Sequence, residues 1–181
     1  MKKAFTRDLT IIALFTALLC ISAFIYIPLP VPITMQTLVM FSALLILGGR
    51  RGSIAVLLYV LLGALGLPVF AGFSGGISRL LDATGGYIFG MPLASFLWWL
   101  LDTLVPKKPI FKIINSVAAL LTIYIFGTLW FVFVYANGEK ALSAALLSCV
   151  VPFVVPDLIK LYLAYHISKK IPQSILLSNK I

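Results

Sequence analysis

Long apolar runs separated by short glycine-, proline- or charge-rich breaks dominate this chain. Six can be drawn: about Leu9 to Ile27, Ile33 to Leu47, Ser53 to Phe70, Tyr87 to Leu104, Ile113 to Tyr135 and Leu146 to Ile167. A helix crosses about 30 Å of hydrocarbon with roughly 20 residues. The pattern therefore predicts an all-α fold, a polytopic membrane protein with six transmembrane helices. The second run is short for a span, so it is expected to be kinked or extended by the Pro28 to Pro32 region. Turns are expected at Pro28, Pro30 and Pro32, at Gly48 to Gly52, along Gly72 to Gly86, at Pro106 to Pro109, and at Asn137 with Gly138. The runs do not alternate polar and apolar residues over about ten positions, which excludes a membrane β-barrel.

Composition sharpens this picture. The chain is 62% hydrophobic and 10% charged, against about 45 to 50% and about 25% in soluble domains. Its 181 residues hold several spans and little else, so one membrane-embedded substrate-binding domain over 1–181 is expected. The first run follows Lys2 and Lys3 but is longer than a signal-peptide core and has no convincing small-residue cleavage site, so it is read as a retained helix. Cys20 and Cys149 lie within runs without metal-ligand spacing and are read as packing residues.

Charge sets an orientation, because short cytoplasmic loops retain Lys and Arg. Lys2, Lys3, Arg7, Arg50, Arg51, Lys107, Lys108, Lys112, Lys169, Lys170 and Lys180 fall on one side of six spans, and only Arg79 and Lys140 on the other. Both termini are accordingly expected in the cytoplasm. The net charge of +9 then reflects topology and contact with anionic membrane lipids, with no nucleic acid as partner.

Polar residues inside apolar runs mark candidate chemistry. Asp157 and Lys160 sit in the last run, three residues apart and on one helical face. From Asp157 to Lys169 is roughly 18 Å of helix, so the pair lies well inside the bilayer. An ionisable group there costs about 2.5 to 3.5 kcal/mol and is usually kept for a ligand or ion. Two readings stand: a ligand grip, or an ion pair that neutralises itself. Pro152 and Pro156 free backbone carbonyls, and a break at Pro156 would put Asp157 near a helix start, where the dipole favours a carboxylate.

The Gly72 to Gly86 loop holds five glycines and Arg79, a cation on the side where cations are avoided. It is either a flexible connector or a wall that offers bare backbone to a ligand. Gln36 lies on the same side, and Asn115 is read as an interhelical hydrogen bond. Gly72-Phe73-Ser74-Gly75-Gly76 fits G-x-S-x-G, but the sole histidine, His166, falls at the opposite membrane face, which argues against a hydrolase. His166, Tyr162 and Tyr165 are expected at the interface. No phosphate loop and no metal-binding cluster is visible, so no enzyme activity, resident cofactor or metal is expected, and any energy for uptake comes from another subunit. Ala13 and Ala17 put two small residues one turn apart, the pattern that permits close helix approach.

Several ordered motifs together resemble one family. They are Val31-Pro-Ile-Thr-Met-Gln-Thr37, Gly63-Ala-Leu-Gly-Leu-Pro-Val-Phe-Ala-Gly72, the Gly75-Gly76 pair, Thr84-Gly-Gly-Tyr87 and Pro156-Asp-Leu-Ile-Lys160. Over nearly its whole length the chain is similar to BioY, the biotin-specific S component of energy-coupling-factor (ECF) transporters. The family usually reads Gly-Pro-Thr-Gly-Gly-Tyr where this chain has Asp82-Ala83 before Thr84, a change that removes a proline and adds a carboxylate near the cavity mouth.

The resemblance implies high-affinity biotin capture across the cytoplasmic membrane, working with a transmembrane coupling protein and two ATPases. It implies that Ala13 and Ala17 contact the coupling protein. Biotin offers two ureido N–H donors, one carbonyl, an apolar sulfur ring and an anionic tail. Asp157 would accept from the ureido group, and Lys160 or Arg79 would meet the tail, with Gln36, Thr84, Gly85, Gly86 and Tyr87 as further contacts. The alternatives are an S component for another vitamin and, from a different class, an intramembrane enzyme.

Overall fold

The computed structural model describes residues 2–29, 31–136 and 142–171. Pro30, the turn at Asn137 and Gly138, Lys140 and Lys180 lie outside the described residues. The six apolar runs reappear as six helical passages. Helix α1 spans Lys2–Ser22, α2 Gln36–Leu47, α3 Gly49–Ala64, α5 Gly85–Leu104 and α6 Pro109–Leu129, the last continued by a π-helical segment, Trp130–Tyr135. A short α4, Ile77–Leu80, lies between α3 and α5, and the final passage divides into α7, Leu142–Cys149, and α8, Val151–Lys170.

Four stretches are long and apolar enough to cross a bilayer: Phe5–Ser22, Gly85–Leu104, Pro109–Tyr135 and Ala145–Lys170. Helix α2 has 12 residues and α3 has 16. The short second passage is thus neither kinked nor extended as a helix. It is preceded by an antiparallel ladder of two-residue strands, β1 (Tyr26–Ile27) and β2 (Ile33–Thr34), which pairs Tyr26 with Thr34 and Ile27 with Ile33. The expected turn at Gly48 to Gly52 contracts to Gly48 alone, at φ 80° and ψ 167°, backbone that only glycine adopts readily. Gly49 and Gly52 then start α3, where a Cβ would stand 2.6 Å from Trp99 Cα and 2.9 Å from Leu44 Cα.

Helix α2 is buried on every side from Met40 to Leu47, the mark of a central helix. Around it lie Leu19, Tyr59, Phe70 and Trp98, all at most 1% exposed. Trp98 satisfies its indole by donating to Ser116 Oγ at 3.0 Å. Asn115 is 2% exposed, but its Nδ2 finds no acceptor among the described residues, so the expected interhelical bond is not made by that group. At the basic side Arg51 joins α3 to α1 through Asp8, Nη2 to Oδ2 2.8 Å.

Helix α8 shows the membrane logic most clearly. Val151, Val155, Leu158, Ile159 and Tyr162 are exposed, while Phe153, Asp157, Lys160, Leu161 and Ala164 are buried. Its mid-helix charges, Asp157 and Lys160, point inward and its hydrocarbon outward, the reverse of a helix facing water.

Candidate functional site

Helix α8 starts at Val151, with Pro152 in the first turn, where a missing N–H is harmless. Asp157 consequently lies in the second turn rather than at a helix start, and Pro156 is accommodated inside the helix. Helix α8 packs against α2, which brings the start of α2 to the carboxylate. Thr37 Oγ1 donates to Asp157 Oδ1 at 2.9 Å, Lys160 Nζ donates to the same oxygen at 2.8 Å, and Tyr124 OH donates to Oδ2 at 2.7 Å. Asp157 and Lys160 are 3% and 5% exposed, so they are an ion pair with extra donors attached. Three donors satisfy most of a carboxylate but leave room on Oδ2, and Lys160 uses one of its three ammonium hydrogens. The pair can therefore both accept from and donate to a third party.

A second polar group is built at the junction of β2, α2 and α3. Thr34 Oγ1 donates to Gln36 Oε1 at 2.8 Å and accepts from the Gln36 backbone N–H at 3.3 Å, while Gln36 Nε2 donates to Tyr59 OH. The amide is thereby fixed, and the Tyr59 hydroxyl hydrogen stays available. Tyr59 in turn meets Phe70 edge to face at 5.6 Å. Phe70 lies beyond α3, and it fits because Gly63 presents no Cβ to its ring.

The loop between α3 and α5 supplies a third group. Arg79, on α4, pairs with Asp82, Nη1 to Oδ2 2.6 Å. Asp82 Oδ1 accepts the Ala83 N–H at 2.7 Å, and its carbonyl accepts the Gly85 N–H at 2.9 Å, so Asp82 organises this turn. Arg79 Nε and Thr84 Oγ1 are buried without partners among the described residues. Tyr87 reaches from α5 toward Thr128 Oγ1 and donates to the Cys149 carbonyl, each at 3.3 Å, its ring seated over Gly127.

These groups line one cavity that is partly open to solvent. Its walls include Gln36, Thr37, Tyr59, Arg79, Thr84, Tyr87, Tyr124, Asp157 and Lys160, with Val31, Phe70, Ile88, Met91, Ile123 and Phe153 as the apolar surface. Gly85 and Gly86 are not among the lining residues. They open α5 rather than close a loop, and a Cβ on either would collide with Leu80 or Trp130, so the structure gives them a packing role. Ala13 and Ala17 line a separate apolar groove with Leu58 and Leu62.

Ser74 Oγ donates to Ala71 O, and His166 is exposed on α8 against Tyr162 and Tyr165. Ser74 and His166 thus form no couple. Thr37, Tyr59 and Tyr124 are site residues that were not singled out from the sequence. Two tyrosines far from the interfaces where tyrosine concentrates in membrane proteins were the available signal.

Inward charges on a lipid-facing helix and a cavity with unfilled donors define a membrane-embedded small-molecule binder. The chain belongs to the BioY family, whose model matches residues 1–176. It is 42% identical over 168 residues to the biotin transporter BioY of Thermotoga maritima, covering 91% of this chain and 95% of that one. It is 39% identical over 167 residues to the probable biotin transporter BioY of Pyrococcus horikoshii, covering 91% and 96%. Among solved structures, it matches the crystal structure of the S component for biotin from an ECF-type ABC transporter with TM-score 0.83 and 27% identity, over 98% of this chain and 99% of that one.

Proposed function

We propose that this chain captures biotin with high affinity at the outer face of the cytoplasmic membrane and serves its uptake as the S component of an ECF-type transporter. The observation that carries the reading is a single cavity with unfilled polar capacity at both ends. At the α8 end, Asp157 Oδ2 accepts from a ureido N–H and Lys160 donates to the ureido carbonyl. At the loop end, Arg79 and Thr84, whose Nε and Oγ1 lack protein partners, meet the anionic tail by charge-assisted hydrogen bonds. Lys160 is already committed to Asp157, which favours Arg79 as the tail cation. Tyr87, Met91 and Phe153 enclose the bicycle. No bond is made or broken and no resident cofactor takes part.

Both termini face the cytoplasm, and a coupling protein with two ATPases completes the transporter. Ala13 and Ala17, exposed on α1, form the surface for the coupling protein. Binding of radiolabelled biotin to the purified chain tests the function. Stoichiometric retention of unchanged biotin, displaced by cold biotin and not by other vitamins, is expected. Displacement by another vitamin instead would make the chain an S component of different specificity, and release of a modified product would make it an enzyme.

A further inference from the structure

Asp82 lies three residues beyond Arg79 in the loop between α3 and α5, and its contacts give it a definite task. It takes Arg79 by Nη1, Oδ2 to Nη1 2.6 Å. In a guanidinium, Nη1 lies on the Cδ side, whereas the Nε and Nη2 hydrogens run parallel along the opposite edge, a two-donor fork that matches a carboxylate. Asp82 thus occupies the one nitrogen whose use leaves that fork whole. Nε is buried without an acceptor among the described residues, and Arg79 lines the cavity while Asp82 does not. Asp82 is itself held in place. Its Oδ1 accepts the Ala83 N–H, and its carbonyl accepts both the Gly85 N–H and Trp130 Nε1, the latter at 3.2 Å from the π-helical end of α6.

We infer that Asp82 is a positioning residue that holds Arg79 by Nη1 and so presents the Nε and Nη2 edge to the carboxylate of the bound molecule, making the site selective for the free acid over its neutral ester. The inference rests on the proposed reading of Arg79 as the tail cation. Asp82 is also an anion and repels an incoming carboxylate. The two side chains are 27% and 37% exposed, so solvent screens that repulsion. A freed arginine samples many rotamers, of which few offer the fork, and the geometric effect outweighs the Coulombic one.

The test measures dissociation constants for biotin and for biotin methyl ester on the full chain and on Asp82→Ala, Asp82→Asn and Arg79→Ala. In Asp82→Ala the preference for free acid over ester falls by about tenfold, the loss of one oriented charge-assisted contact, through biotin alone. Unchanged ester binding shows that the variant is folded. Asp82→Asn, whose amide oxygen still accepts from Nη1, keeps the preference. The inference is overturned if Asp82→Ala keeps or widens the preference, which would make Asp82 a mere counter-charge, or if both ligands weaken equally, which would make it a turn-former only. Should Arg79→Ala keep the preference, Arg79 is not the tail cation and both readings fall. Should Arg79→Ala abolish it while Asp82→Ala does not, only the role of Asp82 falls.

Discussion

At the scale of single residues, Asp157 and Lys160 admit two accounts, a ligand grip and a self-contained ion pair, and their energetics separate them. Removing one partner of a buried pair strands the other charge and costs about 3 to 5 kcal/mol, while replacing both by hydrocarbon is close to neutral. Asp157→Asn and Lys160→Ala are therefore each expected to lower the thermal midpoint and to weaken biotin binding by at least about tenfold. The double variant Asp157→Leu with Lys160→Met is expected to recover most of the stability and none of the binding. Thermal unfolding in detergent and biotin titration on the same samples decide it. Recovery of binding in the double variant would reduce the pair to architecture. Tyr124→Phe removes one of the three donors to the carboxylate and is expected to cost a smaller amount, about 1 kcal/mol of binding.

At the scale of elements, the passage from α2 to α3 depends on one residue. Gly48 has φ 80° and ψ 167°, and a Cβ there would meet nothing within 4 Å. The whole penalty of Gly48→Ala is therefore backbone strain, about 1 to 3 kcal/mol. A lowered thermal midpoint with unchanged biotin affinity is the expected result, because the joint adjoins Arg50 and Arg51 at the end away from the cavity. This scale also shows what the sequence made legible. The six passages were readable because apolar length is a strong signal, and the inward face of α8 was readable because its two charges cannot face lipid. The inward faces of α3 and α6 were not, since a helix apolar all round gives periodicity nothing to report. Tyr59 and Tyr124 escaped for that reason. Gly85 and Gly86 misled because glycine reads as loop, whereas here it lets α5 begin against Leu80 and Trp130. A break expected at Pro156 likewise misled, since the helix begins beside Pro152 and carries Pro156 inside it.

At the scale of the whole molecule, the cavity and the surface proposed for the coupling protein are different surfaces. No residue of α1 lines the cavity, whose walls come from the α1–α2 connection, α2, α3, the loop, α5, α6 and α8. Helix α1 is instead bound to α3, by Thr16 Oγ1 donating to the Ala55 carbonyl at 3.2 Å and by Asp8 with Arg51 at 2.8 Å. Ala13 and Ala17 are exposed along an apolar groove that α1 forms with α3, lined also by Thr16, Leu58, Leu62, Leu67 and Val69. Small side chains there admit a partner helix at close range. Leucine at both positions fills that approach without reaching the cavity, which no residue of α1 lines. The Ala13→Leu, Ala17→Leu variant is expected to bind biotin as the unmodified chain does, yet to lose co-purification with the coupling protein and ATP-dependent uptake in reconstituted vesicles. Full uptake by this variant would move the coupling surface off α1, while a parallel loss of biotin binding would show that the two surfaces are not separable.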